Sequence, residues 1–442
     1  MGGGIMGAGL LYHLAEEGCT DVLLLEKGEL TSGSTWHAAG QCPSLVGNYN
    51  LAKIHAYGND LYPKLESITG QYVSWHGSGG IRLARTQADL DWFEYLKGIA
   101  TSVGFRMEII DPKKIKQINP FMTVDGVLAG AWTTDDGHAD PAGLCNAMAK
   151  GAINMGAKIR RHTLVTGLRR IPSGEWEVQT DKGPVIAETV VNAAGCFARR
   201  VAQWVGADLP ICNIEHHYLV TGPVPEFLER DDEIPVIRDP YASCYIRQEQ
   251  KSGLIGIYES ENITECWRPK GYPPWDSDSE LFEEDLDRLM PWLGRALERM
   301  PILENAGIKR IVNGAIPHPA DGPPMLGPVA GVPNYWMCCG SSFGIAQGAG
   351  CGKYLAQWML YGDSEINMTG FDPRRFGTYA DDGYMEAKGK QDYGLTYATP
   401  LPGEEFPAAR ENRLSPLYPK LKQQGGVFTE TFGWERPKCL SF

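Results

Sequence analysis

Apolar positions near the start of this chain repeat first with a helical period and then as a short unbroken run. Leu10, Leu11 and Leu14 share one face of a helix that opens directly after Gly2-x-Gly4-x-x-Gly7, and Val22 to Leu25 follow as a buried strand closed by Glu26. The pattern predicts helices over residues 51–69, 86–103 and 140–156, the last capped by Asp140 and packed through its alanines. Stretches 157–169, 175–180 and 185–193 alternate as strands and finish in VVNAAG, Val190 to Gly195. Residues 209–222 and 243–259 are β-rich, and 279–299 reads as an acidic amphipathic helix. A strand at 334–338 runs into GSSFGIAQGAGCGKYLAQWML, again strand, glycine turn and helix. Beyond Asp372 the chain is polar and rich in proline and tyrosine, without strong periodicity.

Glycine loop, helix and strand in that order, with an acid about twenty residues on, is the fingerprint of dinucleotide binding. The first glycine permits the tight turn, the second lets a pyrophosphate approach the backbone, and the third lets the helix pack closely. The unpaired N–H groups of the helix N-terminus then face the phosphates, and Glu26 is placed to accept hydrogen bonds from a ribose. The fingerprint ordinarily follows a buried strand, whereas Met1 stands immediately before these glycines. The expectation is a sheet whose first strand is missing from this chain.

Length and charge narrow the class. A chain of 442 residues allows two or three domains or one composite α/β body. A formal net charge of −13, with no Lys/Arg-rich block, argues against nucleic-acid binding, and no apolar run is long enough for membrane insertion. Eleven cysteines contain one adjacent pair, Cys338-Cys339, and no CxxC, which fits reduced thiols in a cytoplasmic or organelle-matrix enzyme that is not secreted. No histidines fall at metal-ligand spacing, so no metal is expected.

A nicotinamide enzyme ordinarily keeps a separate catalytic constellation in a second domain. Glycine-rich signals at both ends of the chain, with NAAG between them, point instead to one large cofactor laid across the fold, and FAD fits. Six segments carry a resemblance: TSGSTWHAAG at 31–40, DGHADP at 136–141, VVNAAG at 190–195, EHHYLVTGP at 215–223, GIYES at 256–260 and GSSFGI at 340–345. Together they resemble the N-methylglycine dehydrogenases and oxidases, the family of dimethylglycine and sarcosine dehydrogenases, over essentially the whole chain. GWERP at 433–437 is similar to the lead-in to a folate-binding domain.

The resemblance implies an α/β fold, in which a FAD-binding Rossmann-like domain of the glutathione-reductase type is interleaved with a β-sheet substrate domain, as in D-amino-acid-oxidase-like proteins. FAD-binding segments are expected at 1–80, 136–208 and 311–370, and substrate-domain segments at 81–135 and 209–310. Residues 371–442 would lead to an absent folate-binding domain of the aminomethyltransferase type, where tetrahydrofolate would collect the one-carbon unit.

The same resemblance implies roles residue by residue. His37 would carry FAD through a covalent bond to the flavin 8α carbon, with Trp36 packing beside it and Ala38, Ala39, Gly40 and Gln41 continuing along the cofactor. Gly33, Ser34 and Thr35 would follow the ribityl and phosphate chain, where small residues let backbone approach closely. Ile5 and Met6 would sit at the pyrophosphate turn, Glu26 and Lys27 at the adenosine ribose, and Val165 at the adenine. Ala194, Gly195 and Phe197 would also contact the cofactor. Gly340, Ser341, Ser342, Phe343, Gly344 and Ile345 would bring a helix N-terminus to the flavin pyrimidine, where charge accumulates on reduction.

His216 and Tyr245 would lie over the flavin ring as the catalytic pair, because only a neutral amine releases hydride from its N-methyl carbon. A histidine near its ordinary pKa of about 6.5 serves as the base. His217 would face the other side of the strand, and His138 would be structural. Arg82 and Arg247 are both open as the carboxylate anchor. Dimethylglycine is the first expected substrate, with sarcosine or another small N-methyl amino acid open beside it. Either an electron-transfer flavoprotein or oxygen would accept the electrons. An alternative of another class is a non-catalytic FAD-binding subunit of an electron-transfer complex.

Overall fold

The computed structural model describes residues 1–440. Leu23–Leu25 pairs in parallel with Lys158–Arg160, and Val190–Asn192 pairs in parallel with Tyr335–Cys339, which also carries the antiparallel Met325–Pro328. Met1 and Gly2 lie between these two short sheets. The Gly2 amide donates to the Leu25 carbonyl, the Met1 amino group to Val191, and the Ala193 amide to Met1, each at 2.9 Å. Among the described residues the two parallel pairs are thus joined at this point through the first two residues.

Helix Ile5–Glu16 is apolar on every side and is buried from Ile5 to Ala15. It packs against Pro141–Asn154 and Gly344–Tyr361, so the N-terminal and C-terminal glycine turns meet in one layer. No helix among the described residues is long and apolar enough to cross a membrane.

Eight further strands form one sheet in the order Ile308–Pro319, Ile211–Pro223, Ser252–Ile257, Cys244–Glu249, Val236–Asp239, Gly80–Ala84, Ala129–Thr133, Glu108–Ile110. All neighbours are antiparallel except Val236–Asp239 beside Gly80–Ala84. Strand Ile308–Pro319 continues in this sheet beyond the expected segment boundary at 310. The sheet is buried on both faces, with a strict alternation. Ile246, Ile255 and Leu219 pack beneath helix Leu286–Arg299, whereas Tyr218, Tyr245, Leu254 and Tyr258 face the opposite way.

Three local expectations fail for identifiable reasons. The acidic helix expected at 279–299 begins only at Leu286, with Asp285 as its N-cap. Upstream, the Phe282 amide donates to the Asn313 carbonyl at 2.8 Å and its ring packs on Trp267 5.2 Å away, so tertiary contacts hold this acidic stretch extended. The single strand expected at 157–169 is split between the parallel pair and a separate meander starting at Val165. Beyond Asp372, where no period was visible, the chain forms helix Asp382–Gly394 and hairpin Gly426–Thr431/Trp434–Leu440. The buried face of that helix consists of Tyr384, Met385, Lys388, Gly389 and Tyr393, a mixture that hydropathy scores as polar.

Candidate active site

A cavity of about 690 Å³ runs between the parallel sheets and the face of the eight-stranded sheet that carries Tyr218 and Tyr245. Its first end is built from Gly2 to Met6, Glu26 and Val165, and its far end from His216, Tyr245, Phe343 and Tyr397. Every residue expected above at the cofactor or as the catalytic pair lines it, except Gly7 and Trp36. Gly7 instead lies against the Gly2 carbonyl, where a Cβ would come within 2.0 Å, which is the close-packing role of the third glycine. Trp36 is 37% exposed and meets only the edge of the His37 ring, with centroids 5.6 Å apart, so it is a neighbour of the histidine rather than part of the wall.

Two helix N-termini open into this cavity, at Ile5–Glu16 and at Gly344–Tyr361, neither capped by the side chain of its own N-cap residue, although the Ile5 amide donates to Thr35 Oγ1 at 3.0 Å. Their remaining N–H groups and the positive ends of their dipoles suit a diphosphate and an electron-rich ring respectively. The Glu26 carboxylate is fixed by the Gly3 amide at 2.7 Å and the Gly28 amide at 2.8 Å, one to each oxygen, and its remaining lone pairs are available to a ribose. Lys27 departs from expectation. Its ammonium donates to the carbonyls of Trp275 and Ser277 and lies 4.2 Å from the Phe197 ring centroid, so it is committed to the 275–277 loop instead of a ribose.

His37 is buried at the middle of the cavity, and burial lowers its pKa from 6.5 to about 4. Its ring is neutral at pH 7, the form in which an imidazole nitrogen is nucleophilic. The space for that ring comes from Gly314 on the neighbouring strand, where a Cβ would lie 2.3 Å from His37 Cε1.

At the far end His216 Nε2 lies 3.0 Å from the Tyr245 hydroxyl and Nδ1 lies 3.0 Å from the Tyr393 hydroxyl. Burial pushes the His216 pKa down to about 3, with His217, His37 and Arg288 adding smaller effects of the same sign. The expected base of ordinary strength is therefore corrected: His216 is a neutral hydrogen-bonding group. Burial likewise raises the Tyr245 hydroxyl far above its ordinary range. His217 points away from the cavity, accepting from the Asp285 amide and facing Arg288 at 3.1 Å. His138 stacks on His76 with centroids 4.7 Å apart, and Glu233 lies against both.

The two candidate anchor arginines separate cleanly. Arg247 donates to the carbonyls of Ala39 and Gln248 and pairs with Glu249 at 2.6 Å, outside the cavity wall. Arg82 lines the cavity, donates to the Tyr397 carbonyl at 2.8 Å, and keeps a buried Nε without a partner. Arg238, which the sequence did not single out, also lines the cavity. It meets Asp136 at 3.3 Å and leaves its buried Nη1 unpaired.

Comparison with known proteins decides the family. The model described as FAD dependent oxidoreductase matches residues 1–358, and that described as FAD dependent oxidoreductase central domain matches residues 361–415. The chain belongs to the FAD dependent oxidoreductases. Mitochondrial dimethylglycine dehydrogenase of Mus musculus is 41% identical over 441 residues, covering 99% of this chain and 50% of that protein. Mitochondrial sarcosine dehydrogenase of Mus musculus is 32% identical over 452 residues, covering 99% and 48%. The chain thus spans about half the length of these curated relatives. Among solved structures, L-proline dehydrogenase from P. horikoshii superposes with a TM-score of 0.73 at 24% identity, over 85% of this chain and 96% of that one. The fold is accordingly that of the D-amino-acid-oxidase-like FAD enzymes, and the two helix N-termini and Glu26 fit the FAD that the family binds.

Several residues in and behind this site carry no signal of their role in the chain. Tyr393, behind His216, stands in a segment without periodicity, and Tyr258 and Glu259 fall in GIYES, which marks the family without marking either residue's role. Gly314, which makes room for His37, sits in an unremarkable strand, and only its cross-strand position reveals it.

Proposed function

We propose that this chain oxidises a small N-methylated amino acid, dimethylglycine first, to the demethylated amine and a formaldehyde-level one-carbon unit. The observation that carries this reading is one chamber holding an uncharged His216–Tyr245 pair together with the unpaired guanidinium nitrogens of Arg82 and Arg238. When bound, FAD supplies a two-electron acceptor whose N5 takes hydride from the N-methyl carbon.

The rest of the work falls to the chain. Arg82, assisted by Arg238, binds the substrate carboxylate and fixes which end of the molecule reaches His216. The Tyr245 oxygen accepts the ammonium N–H, since a cationic nitrogen cannot push electrons towards the departing hydride. Phe343 and Tyr397 both neighbour Tyr258, with centroids 6.1 Å and 5.6 Å from it, and the three form an aromatic wall that limits water around the amine. His37, neutral and buried in the cavity wall, would hold FAD through an imidazole nitrogen. The iminium product takes up water and falls apart to formaldehyde and the demethylated amine.

The 41% identity to dimethylglycine dehydrogenase, against 32% to sarcosine dehydrogenase, supports dimethylglycine over sarcosine. Electrons leave to an electron-transfer flavoprotein or to oxygen. Anaerobic titration of flavin-loaded protein with dimethylglycine, sarcosine and longer N-methyl amino acids tests the proposal. Bleaching of the flavin band by dimethylglycine at the lowest concentration is expected, and a band unmoved by every member of the panel refutes it.

A further inference from the structure

The hydrogen bonds around His216 continue beyond the cavity wall. From the Tyr393 hydroxyl, 3.0 Å from His216 Nδ1, the next bond runs to Glu259 Oε2, also at 3.0 Å. Donor counting gives this chain a direction. Tyr393 has one O–H and donates it to the carboxylate, so its oxygen accepts from His216 Nδ1–H. That tautomer leaves Nε2 as an acceptor, which the Tyr245 O–H fills. All three donors therefore point from the substrate chamber towards Glu259.

We infer that Tyr245, His216 and Tyr393 form a proton wire, and that Glu259, outside the chamber, is the base that finally receives the substrate ammonium proton. The inference rests on the amine-oxidising reading of this site.

The transfer balances bond by bond. As the ammonium N–H gives its proton to the Tyr245 oxygen, the Tyr245 proton moves to His216 Nε2. The Nδ1 proton moves to Tyr393, and the Tyr393 proton moves to Glu259 Oε2. The substrate loses one positive charge and the carboxylate one negative charge. His216 ends in its other tautomer and never holds a net charge, which its low proton affinity requires.

Base strength along the wire singles out its far end. Near neutral pH His216 is too weak a base to hold an extra proton, and Tyr245 is too weak an acid to be left as a phenolate, so neither can store the proton. Burial raises Glu259 from 4.5 to about 7, and Glu215 on the adjoining strand adds to the rise. Arg288 opposes it from helix Leu286–Arg299, together with the Tyr393 hydrogen bond and a backbone hydrogen bond. Arg288 touches Oε1 at 3.1 Å without hydrogen-bond alignment, so that oxygen has no donor and remains open to a proton. The other groups facing this corner are the Tyr258 ring, Asp285 and His217, the last two against Arg288 itself. Beyond Tyr393 stand Asp392 and His318, which pair with each other at 2.7 Å.

Stopped-flow reduction of the flavin by dimethylglycine, from pH 5.5 to 9.5, in wild type, Glu259→Gln and Tyr393→Phe tests the wire. The wild-type rate is expected to rise with pH through a group near 7. Both variants should lose that inflection and slow on the order of 10²-fold at pH 7, the usual loss for a positioned acid–base group. Their rates should return towards wild type as the pH approaches the amine's own pKa, because the substrate then arrives neutral. A merely structural defect would not recover this way. Tyr393→Phe keeps the test intact if Glu259→Gln fails to fold. A folded variant of either kind with wild-type rate and an unchanged inflection overturns the wire. Wild-type flavin that no N-methyl amino acid reduces overturns the functional reading, and the wire with it.

Discussion

A side chain at position 314 and the imidazole of His37 exclude one another, because a Cβ on Gly314 would stand 2.3 Å from Cε1 and 2.4 Å from Nδ1. The glycine is the seat of the histidine. Gly314→Ala should therefore displace the ring from its place beside the cofactor while leaving both helix termini of the FAD site intact. A shift of about 1 Å in a reacting atom costs on the order of 10²-fold in rate. The expected outcome is protein that binds FAD but releases it on acid precipitation, whereas wild type keeps flavin on the His37 peptide. His37→Ala should behave likewise. Mass spectrometry of the flavin-bearing peptide decides it, and an unmodified His37 peptide from flavin-loaded wild type would remove the covalent bond from the mechanism.

Tyr245 is seated in the same way. A Cβ on Gly256 would lie 1.9 Å from its Cζ, so the neighbouring strand leaves a slot for the phenol. Gly256→Ala, Tyr245→Phe and His216→Ala should each slow flavin reduction by dimethylglycine by about 10²–10⁴-fold at saturating substrate. FAD content should stay near that of wild type, as read from the absorbance ratio of purified protein. Reduction at the wild-type rate in Tyr245→Phe would take the hydroxyl out of the chemistry.

Arg82 lines the chamber and keeps a buried Nε without a partner, whereas Arg247 lies outside it with its donors engaged. A charge-assisted hydrogen bond contributes about 1.5–3 kcal/mol, so Arg82→Ala should raise the dissociation constant for dimethylglycine by roughly 10–100-fold. An N-methyl amine without a carboxylate should bind equally poorly to both proteins. If the variant binds dimethylglycine as wild type does, Arg238 is the better anchor.

Stability should fall as the solution is acidified below neutrality. His13, His37, His55 and His217 are lowered by burial from 6.5 to about 4, and His216 to about 3. Between these values and 6.5 the unfolded chain binds protons that the folded one refuses, so folding weakens as pH falls through that window. Glu259 acts in the opposite sense between 4.5 and about 7, as do Glu16, Glu265 and Asp321, which burial also raises, but the five histidines carry the larger combined shift. The melting temperature of the protein, measured from pH 7.5 to 5, should therefore decline steadily. A flat profile would mean that these histidines are hydrated in solution.

The chain's order of apolar runs and glycine turns determined a great deal. The Gly2–Gly7 fingerprint, the strand ending at Glu26 and the second strand–turn–helix at 335–361 all depend on contacts within a few residues, and each formed where the pattern placed it. So did the opposite orientations of His216 and His217, because successive side chains on a strand must alternate. For His37 it was the resemblance carried by TSGSTWHAAG, rather than any local period, that implied a place along the cofactor, and the residue lines the cavity.

Tertiary structure alone decided the rest, since it sets distances between residues far apart in sequence and the dielectric around them. Gly314 meets His37 across 277 positions, and Tyr393 meets His216 across 177, through a helix whose mixed aromatic and charged face hides its period. The choice between Arg82 and Arg247 depended on which guanidinium found other partners. Proton affinity is the clearest case. A histidine in a sequence carries its ordinary pKa, and only burial, which desolvates the charged form, made His216 too weak a base and Glu259 a stronger one.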